Sequence, residues 1–222
     1  MSEKTKNILI IGTGANASVI SQSLIETFNN GDIKYKFCGY IEDKTLSINF
    51  DNKNQFITGS ITDIQRFIDE DYYFINATEV NSDLRQRMSL IESLNIPVER
   101  WVSFIHPLSY IAPNLDMGYG CVVMPYAISQ PGTKLGNFCT IMFGAIMGHD
   151  NNVGDHCFFD SGSISGAYLT IGNGVYVGIN STIREFLKIG NYSRIGIGSI
   201  LLKEVADEEV WVGNPAKFYK KS

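Results

Sequence analysis

The chain has 222 residues, enough for one large domain or two small ones, and 44% of them are apolar against 18% charged, the balance of a chain that buries a core. Eighteen Lys and Arg against 23 Asp and Glu leave a formal charge of −5, which argues against nucleic acid as a main partner. No apolar run nears the roughly 20 residues of a membrane-spanning helix, and residues 8–11 run straight into glycines rather than a secretory cleavage signal, so a cytoplasmic protein without a membrane span is expected.

Residues 7–11 predict a strand that ends in Gly12-Thr13-Gly14, and residues 15–28 carry Val19, Leu24 and Phe28 at helical spacing. Residues 36–41 predict a second strand, closed by Glu42-Asp43. A third strand is expected over 55–58, then a helix over 61–70 capped by Ser60 or Thr62. Residues 72–77 predict a fourth strand, 82–94 a second strong helix and 98–104 a last strand. Strands alternating with helices imply a Rossmann-like parallel α/β sheet over residues 1–104. Within it, Gly12-Thr13-Gly14-Ala15-Asn16-Ala17 is a GxGxxA turn, suited to a phosphate at a helix N-terminus or to close helix packing alone. Glu42 and Asp43 follow the second strand, where carboxylates could hold a ribose or a base, and Arg85 reads either as a phosphate partner or as a solvated helix residue.

From Ile105 the pattern changes to a strict period of six, which defines a second domain over residues 105–222. Fifteen of the seventeen residues at this spacing from Ile105 to Leu201 are large and apolar, a density that 44% overall does not produce by chance. Nine of the seventeen are followed by glycine and eleven have Ser, Thr, Ala or Cys four places on, and no insertion breaks the frame. Such a period reads as a β-helix of triangular section, with six residues per face and 18 per turn. Parallel strands about 4.8 Å apart then stack residue i on residue i+18. The aliphatic residue fills the interior, the small one points inward near the corner, and the glycine is expected to tolerate the backbone of the turn. Cys121, Cys139 and Cys157 form an inward ladder and read as small buried hydrophobes rather than a metal or redox site, while Cys38 reads as a sheet residue.

His149 lies two places after an interior position, where side chains point outward, and Asp150 follows it. An imidazole titrates near neutrality, and a carboxylate on its other nitrogen fixes the tautomer, so the pair suits general base catalysis; the plain alternative is a surface histidine at a repeat corner. His156 falls at a different phase and His106 lies more than two turns away, so three histidines do not converge on zinc and no metal is expected.

The hexapeptide repeat resembles the left-handed β-helix acyltransferases, and Val210-Trp211-Val212-Gly213-Asn214-Pro215-Ala216-Lys217 resembles their V-x-x-G-x-P-A-K ending. Together with Gly12-Thr13-Gly14, Glu42-Asp43, Met124-Pro125-Tyr126 and Gly148-His149-Asp150, the chain resembles the two-domain sugar acetyltransferases. These include the UDP-4-amino-sugar N-acetyltransferases and the sialic-acid O-acetyltransferase-like proteins. The resemblance implies a homotrimer that uses acetyl-CoA on a nucleotide-activated amino sugar for surface-glycan synthesis of the lipopolysaccharide type. It implies His149 as base, Asp150 as its orienter and the N–H of Ala167 as the oxyanion donor, where relatives usually have glycine. It also implies main-chain contacts to CoA at Ile179, Gly196 and Ile197, and a nucleotide cradle at Gly12, Thr13, Gly14, Ala15, Asn16, Glu42 and Asp43.

The chain departs from the family in the acceptor pocket. Met142-Phe143 stand where relatives carry Asn-Thr, and Phe158 stands where relatives often have a second histidine. A more apolar pocket suits a methyl-bearing 6-deoxy sugar or an acyl group longer than acetyl. The sequence therefore points to an acetyl-CoA-dependent N-acetyltransferase of a nucleotide-linked amino sugar. Sugar O-acetylation and a non-catalytic nucleotide-sugar-binding trimer are the alternatives.

Overall fold

The computed structural model describes residues 4–42, 57–78 and 84–222, and the chain divides into two compact units, Met1–Ser103 and Phe104–Ser222. The first unit runs β1 (Lys6–Ile11), α1 (Ala15–Asn29), β2 (Tyr35–Ile41), β3 (Ile57–Gly59), α2 (Ile64–Asp69), β4 (Tyr72–Asn76) and α3 (Leu84–Ser93). Its strands form one parallel sheet in the order β3-β2-β1-β4. Ile8, Leu9, Ile10 and Ile11 of the central strand are all buried, the continuous apolar run of a strand covered on both faces. Ser60 is the cap ahead of α2, and its N–H donates to Asp63 Oδ2 at 2.8 Å in a reciprocal capping box. Asp43, the first two residues of the strand predicted over 55–58 and the start of the helix predicted over 82–94 lie outside the described residues.

Residues 98–104 are not the strand that Val98, Trp101 and Val102 suggest. Val98–Arg100 is a 3-10 turn whose Arg100 N–H donates to Pro97 O at 2.9 Å, and Trp101 makes a single bridge to Phe74. Proline at the start favours the turn, and the turn brings Arg100 within 2.6 Å of Asp71 Oδ1. The Lys4 ammonium and the Arg100 guanidinium hold the Asp71 carboxyl down to about 2. Phe104 belongs instead to the second unit, paired with Val122.

The second unit is a left-handed parallel β-helix. Two-residue strands repeat around three faces, each pairing with the strand 18 residues away, as in Thr140↔Phe158, Ile146↔Ile164 and Lys134↔Asn152. The first face runs through Thr140–Ile141, the second through Ile146–Met147 and the third through Asn152–Val153. The second residue of each strand points inward, and Ile141, Met147, Val153, Phe159, Ile171 and Val177 are buried in one continuous core. A hairpin of Glu209–Gly213 and Ala216–Lys221 holds the Val-x-x-Gly-x-Pro-Ala-Lys ending and adds to the first face through Val210 beside Arg194.

The repeat's glycines serve a purpose other than the one expected. Gly136, Gly148, Gly154 and Gly178 do not adopt positive φ; they sit where the next coil passes too closely for a side chain. A Cβ at Gly154 would lie 2.8 Å from Gly172 C and 2.9 Å from Asn173 N. The left-handed residue comes two places later, at Asp150 (φ 55°), His156 (φ 56°), Tyr168 (φ 55°) and Phe186 (φ 61°) among others. That conformation costs a non-glycine residue about 1–2 kcal/mol, a cost that burying one aliphatic side chain per face, worth about 1.5–3 kcal/mol, offsets.

Small residues of the interior satisfy the corner carbonyls. Cys121, Cys139 and Cys157 donate their thiols to the carbonyls of Gly136, Gly154 and Gly172 at 3.2, 3.1 and 3.0 Å. The neighbouring Cys139 thiol and burial push the Cys121 thiol well above the ordinary range. In the native protein Ellman's reagent is expected to titrate Cys38 alone, with all four thiols reacting after unfolding; prompt reaction of the ladder would contradict the burial. Gly154→Ala is expected to cost about 1–3 kcal/mol by denaturant unfolding, the usual penalty for overpacking. Gly144→Asn should be far milder, because Gly144 is left-handed (φ 64°) with nothing within 4 Å of its would-be Cβ.

Candidate functional site

At the corner between the second and third faces, the frame sets His149 and Asp150 just past the buried Met147. The left-handed backbone of Asp150 turns its carboxylate onto the preceding ring, with His149 Nδ1 and Asp150 Oδ2 2.8 Å apart. The two side chains are 45% and 48% exposed, and Nε2 has no partner among the described residues. Gly132, one coil earlier, makes room for the carboxylate, since a Cβ there would strike Asp150 Oδ1. Tyr168, one coil later, meets the imidazole edge-on at 5.0 Å and stacks on Phe186.

Ala167 stands directly above His149 in the same corner column. Its N–H has no acceptor among the described residues, and the same holds for His149 and Glu185 in that column. Gly148 keeps this donor uncovered, because a Cβ there would lie 2.8 Å from Ala167 N. The corner between the first and second faces repeats the arrangement: Phe143, Ile179 and Ile197 have N–H groups without acceptors, and Gly178 leaves Ile197 N uncovered at 2.8 Å. Below these positions both columns begin with prolines, Pro107 and Pro125 in one and Pro113 and Pro131 in the other, which have no N–H to offer.

The third corner differs. There Asn137, Asp155, Asn173, Asn191 and Asp207 form a ladder in which each side-chain oxygen accepts the N–H one coil below, at 2.7–3.1 Å. That corner is self-satisfied, whereas the other two carry open backbone donors in columns flanking the second face. Buried polar N–H groups are seldom left without partners, so two columns of open donors at half-exposed corners mark places where an acceptor from outside can dock. The second face between them is apolar, with Ile128, Ile146, Ile164 and Ile200 in register and none of them fully buried.

His149, Asp150 and Ala167 thus come together, as do Ile179, Gly196 and Ile197, the two groups separated by the width of the second face. Met142 and Phe158 do not join His149 within one chain. They are buried on the first face, where Phe158 stacks on Tyr176 at 5.8 Å. Burial and the Asp160 carboxylate beside it raise the Tyr176 hydroxyl well above its ordinary value. His156 is buried against the Phe138 ring at 4.7 Å, and His106 Nδ1 accepts the N–H of Leu108 at 3.1 Å. Among the described residues, no three His, Cys, Asp or Glu side chains converge as metal ligands would.

The open donor columns and the Tyr168–Phe186 stack are not among the expectations from sequence; the prolines two places past the interior position, and the asparagines confined to one column in three, are the signals that carry the former.

In the first unit Gly12 is left-handed (φ 106°), its N–H donates to Ile41 O at 2.9 Å, and a Cβ would lie 2.8 Å from Ala77 O. Gly14 caps α1 without a side-chain hydrogen bond, and the first turn, with Ala15 and Asn16, holds no acidic residue. Thr13 Oγ1 donates to Glu42 Oε1 at 2.7 Å.

No family model and no curated protein matches the chain. Solved structures do. Perosamine N-acetyltransferase from Caulobacter crescentus, in complex with CoA and GDP-perosamine, superposes with a TM-score of 0.82 at 19% identity over 100% of both chains. The acetyltransferase domain of PglB from Neisseria gonorrhoeae FA1090, in complex with acetyl coenzyme A, gives 0.81 at 21% identity over 97% of this chain and 100% of that one. WeeI from Acinetobacter baumannii AYE gives 0.75 at 20% identity over 97% and 100%. The fold is therefore the two-domain architecture of these hexapeptide-repeat proteins, an α/β unit followed by a left-handed β-helix.

Native-state hydrogen exchange tests the asymmetry between corners. The amides of Ala167, Ile179 and Ile197 are expected to exchange rapidly, and those of Asn137, Asp155 and Asn173 slowly, within the same coils. Equal protection at all three corners would remove the open donors from the site.

Proposed function

We propose that the protein is an acetyl-CoA-dependent N-acetyltransferase acting on a nucleotide-linked amino sugar, in a pathway of surface-glycan synthesis. The observation that carries this reading is the column at the second corner: a hydrogen-bonded imidazole–carboxylate pair beneath an uncovered backbone N–H. A base next to a preorganised oxyanion donor is what acyl transfer from a thioester needs. The solved structures of the same fold that hold CoA, acetyl coenzyme A or GDP-perosamine support the choice of substrates.

In the proposed reaction the acceptor nitrogen attacks the thioester carbonyl and an N–C bond forms. Nε2 of His149 takes the nitrogen's proton, while Nδ1–H donates to Asp150, which stabilises the imidazolium. The Ala167 N–H receives the oxyanion. When the carbonyl re-forms, the C–S bond breaks and CoA leaves as thiolate to be protonated. Along the opposite corner the open N–H groups of Ile179 and Ile197, with Gly196 between stacked coils, suit the amide carbonyls of the pantetheine arm.

The same columns support a homotrimer. Each flanks an apolar face with no cover of its own, and flat faces packed about a threefold axis close into a ring. In such a ring Met142, Phe143 and Phe158 of one copy can approach His149 of the next and make the acceptor pocket apolar. The turn at Gly12–Asn16, with Glu42 beside it, suits the nucleotide phosphates at the N-terminus of α1.

The test is acetyl-CoA consumption, followed by mass spectrometry, over a panel of UDP-, dTDP- and GDP-linked amino sugars. One amino sugar should be acetylated on nitrogen, and His149→Ala should lower kcat by about 10²–10⁴-fold. Turnover on hydroxyl groups alone would favour O-acetylation. Thermal stabilisation by a nucleotide sugar with no response to any CoA would favour a binding protein, and near-normal turnover of His149→Ala would exclude it as base.

A further inference from the structure

We propose that Tyr168 is a positioning residue for the His149 imidazole and that Phe186 buttresses it; this rests on the assignment of His149 as the base. Asp150, Tyr168 and Phe186 occupy one corner column at successive coils, all left-handed with φ of 55°, 55° and 61°. With shared backbone conformation and register, the phenol and phenyl rings of the two later coils stack in parallel above the coil of Asp150. His149 stands beside this column. It touches two of the three members: Asp150 through Nδ1 at 2.8 Å, and Tyr168 through an edge-to-face contact at 5.0 Å and 86°.

Each contact does a different job. A hydrogen bond to Nδ1 fixes one atom of a half-exposed imidazole and leaves the ring free to swivel about it. The Tyr168 ring removes that freedom, because an edge-to-face pair has a preferred plane as well as a preferred distance. Tyr168 is itself 49% exposed and would be a poor wall alone. It is held by the parallel ring of Phe186 at 5.0 Å and 6°, and by its own N–H, which donates to His149 O at 3.1 Å. The next coil repeats the link, with Phe186 N–H donating to Ala167 O at 3.0 Å. The base, the oxyanion donor and both rings are therefore tied by main-chain bonds into one unit. The Tyr168 hydroxyl makes no hydrogen bond among the described residues, so the ring rather than the hydroxyl carries the role. A large aromatic left 68% exposed at Phe186 has its explanation in this stack.

The experiment compares Tyr168→Ala, Tyr168→Leu, Tyr168→Phe and Phe186→Ala in the full chain, by two readouts. The first needs no substrate: a histidine-ring nitrogen–proton correlation spectrum, with the His149 signals assigned by their loss in His149→Asn. The wild type should show a sharp His149 Nδ1–H signal; Tyr168→Ala and Tyr168→Leu should broaden it as ring motion strains the bond to Asp150; Tyr168→Phe should restore it. The second is steady-state kinetics with acetyl-CoA and whichever nucleotide-linked amino sugar of the panel is acetylated. Tyr168→Ala should lower kcat by about 10- to 100-fold at unchanged KM, the scale of a misplaced reacting group. Tyr168→Phe should recover most of the loss, and Phe186→Ala should fall between. A His149 Nδ1–H signal as sharp as the wild type's in both Tyr168→Ala and Tyr168→Leu would overturn the proposal, as would a raised KM at unchanged kcat, which would make Tyr168 a substrate contact. An active His149→Ala would instead defeat the base assignment, so the two failures read differently.

Discussion

Everything in the second unit depends on the close vertical approach of successive coils. At several corners the next coil passes so closely that it leaves no space for a Cβ just past the inward residue, which is why Gly148 and Gly154 stand there. To turn the corner, the chain then uses one left-handed residue per face. Between these two requirements the intervening residue has its N–H aimed along the prism axis, stacked in a column with its counterparts 18 residues away. The geometry is imposed by packing, and it offers a row of backbone donors at every corner before any function is considered.

What differs between corners is how that row is dealt with. At one corner an Asn and Asp ladder accepts every donor from Tyr119 to Asn191. At the other two, prolines remove the donors from the first coils; above them the N–H groups of Phe143, Ile179 and Ile197 at one corner, where Ser161 alone donates to Asp160 Oδ1, and of His149, Ala167 and Glu185 at the other have no acceptor among the described residues. One fold thus yields an inert edge and two receptive ones, and the receptive edges bound the face whose isoleucines lack cover. The catalytic candidates sit on one receptive edge and the CoA candidates on the other.

The sequence was legible where one residue type has one physical use. The six-residue period named the inward positions, and the phase of His149 put it outside. It was less legible where a residue has two uses. Glycine after the inward position was read as a flexible turn residue, but the turn is made two places later by Asp150, Tyr168 and their equivalents. Val98, Trp101 and Val102 favour strand, yet Pro97 and the Arg100–Asp71 pair hold Val98–Arg100 in a turn. In both cases local preference lost to a contact made at a distance.

The chain by itself determined the prism, its frame, the inward thiol ladder and the outward imidazole with a carboxylate next to it, because each depends only on spacing along the backbone. Tertiary structure alone decided which N–H groups stay open, that Tyr168 and Phe186 stack beside His149, and that Met142 and Phe158 lie on a different face. Those outcomes depend on what stands one coil above or below. Vertical neighbours are 18 residues apart, and whether they satisfy, crowd or expose one another depends on residue type together with side-chain direction at a left-handed corner.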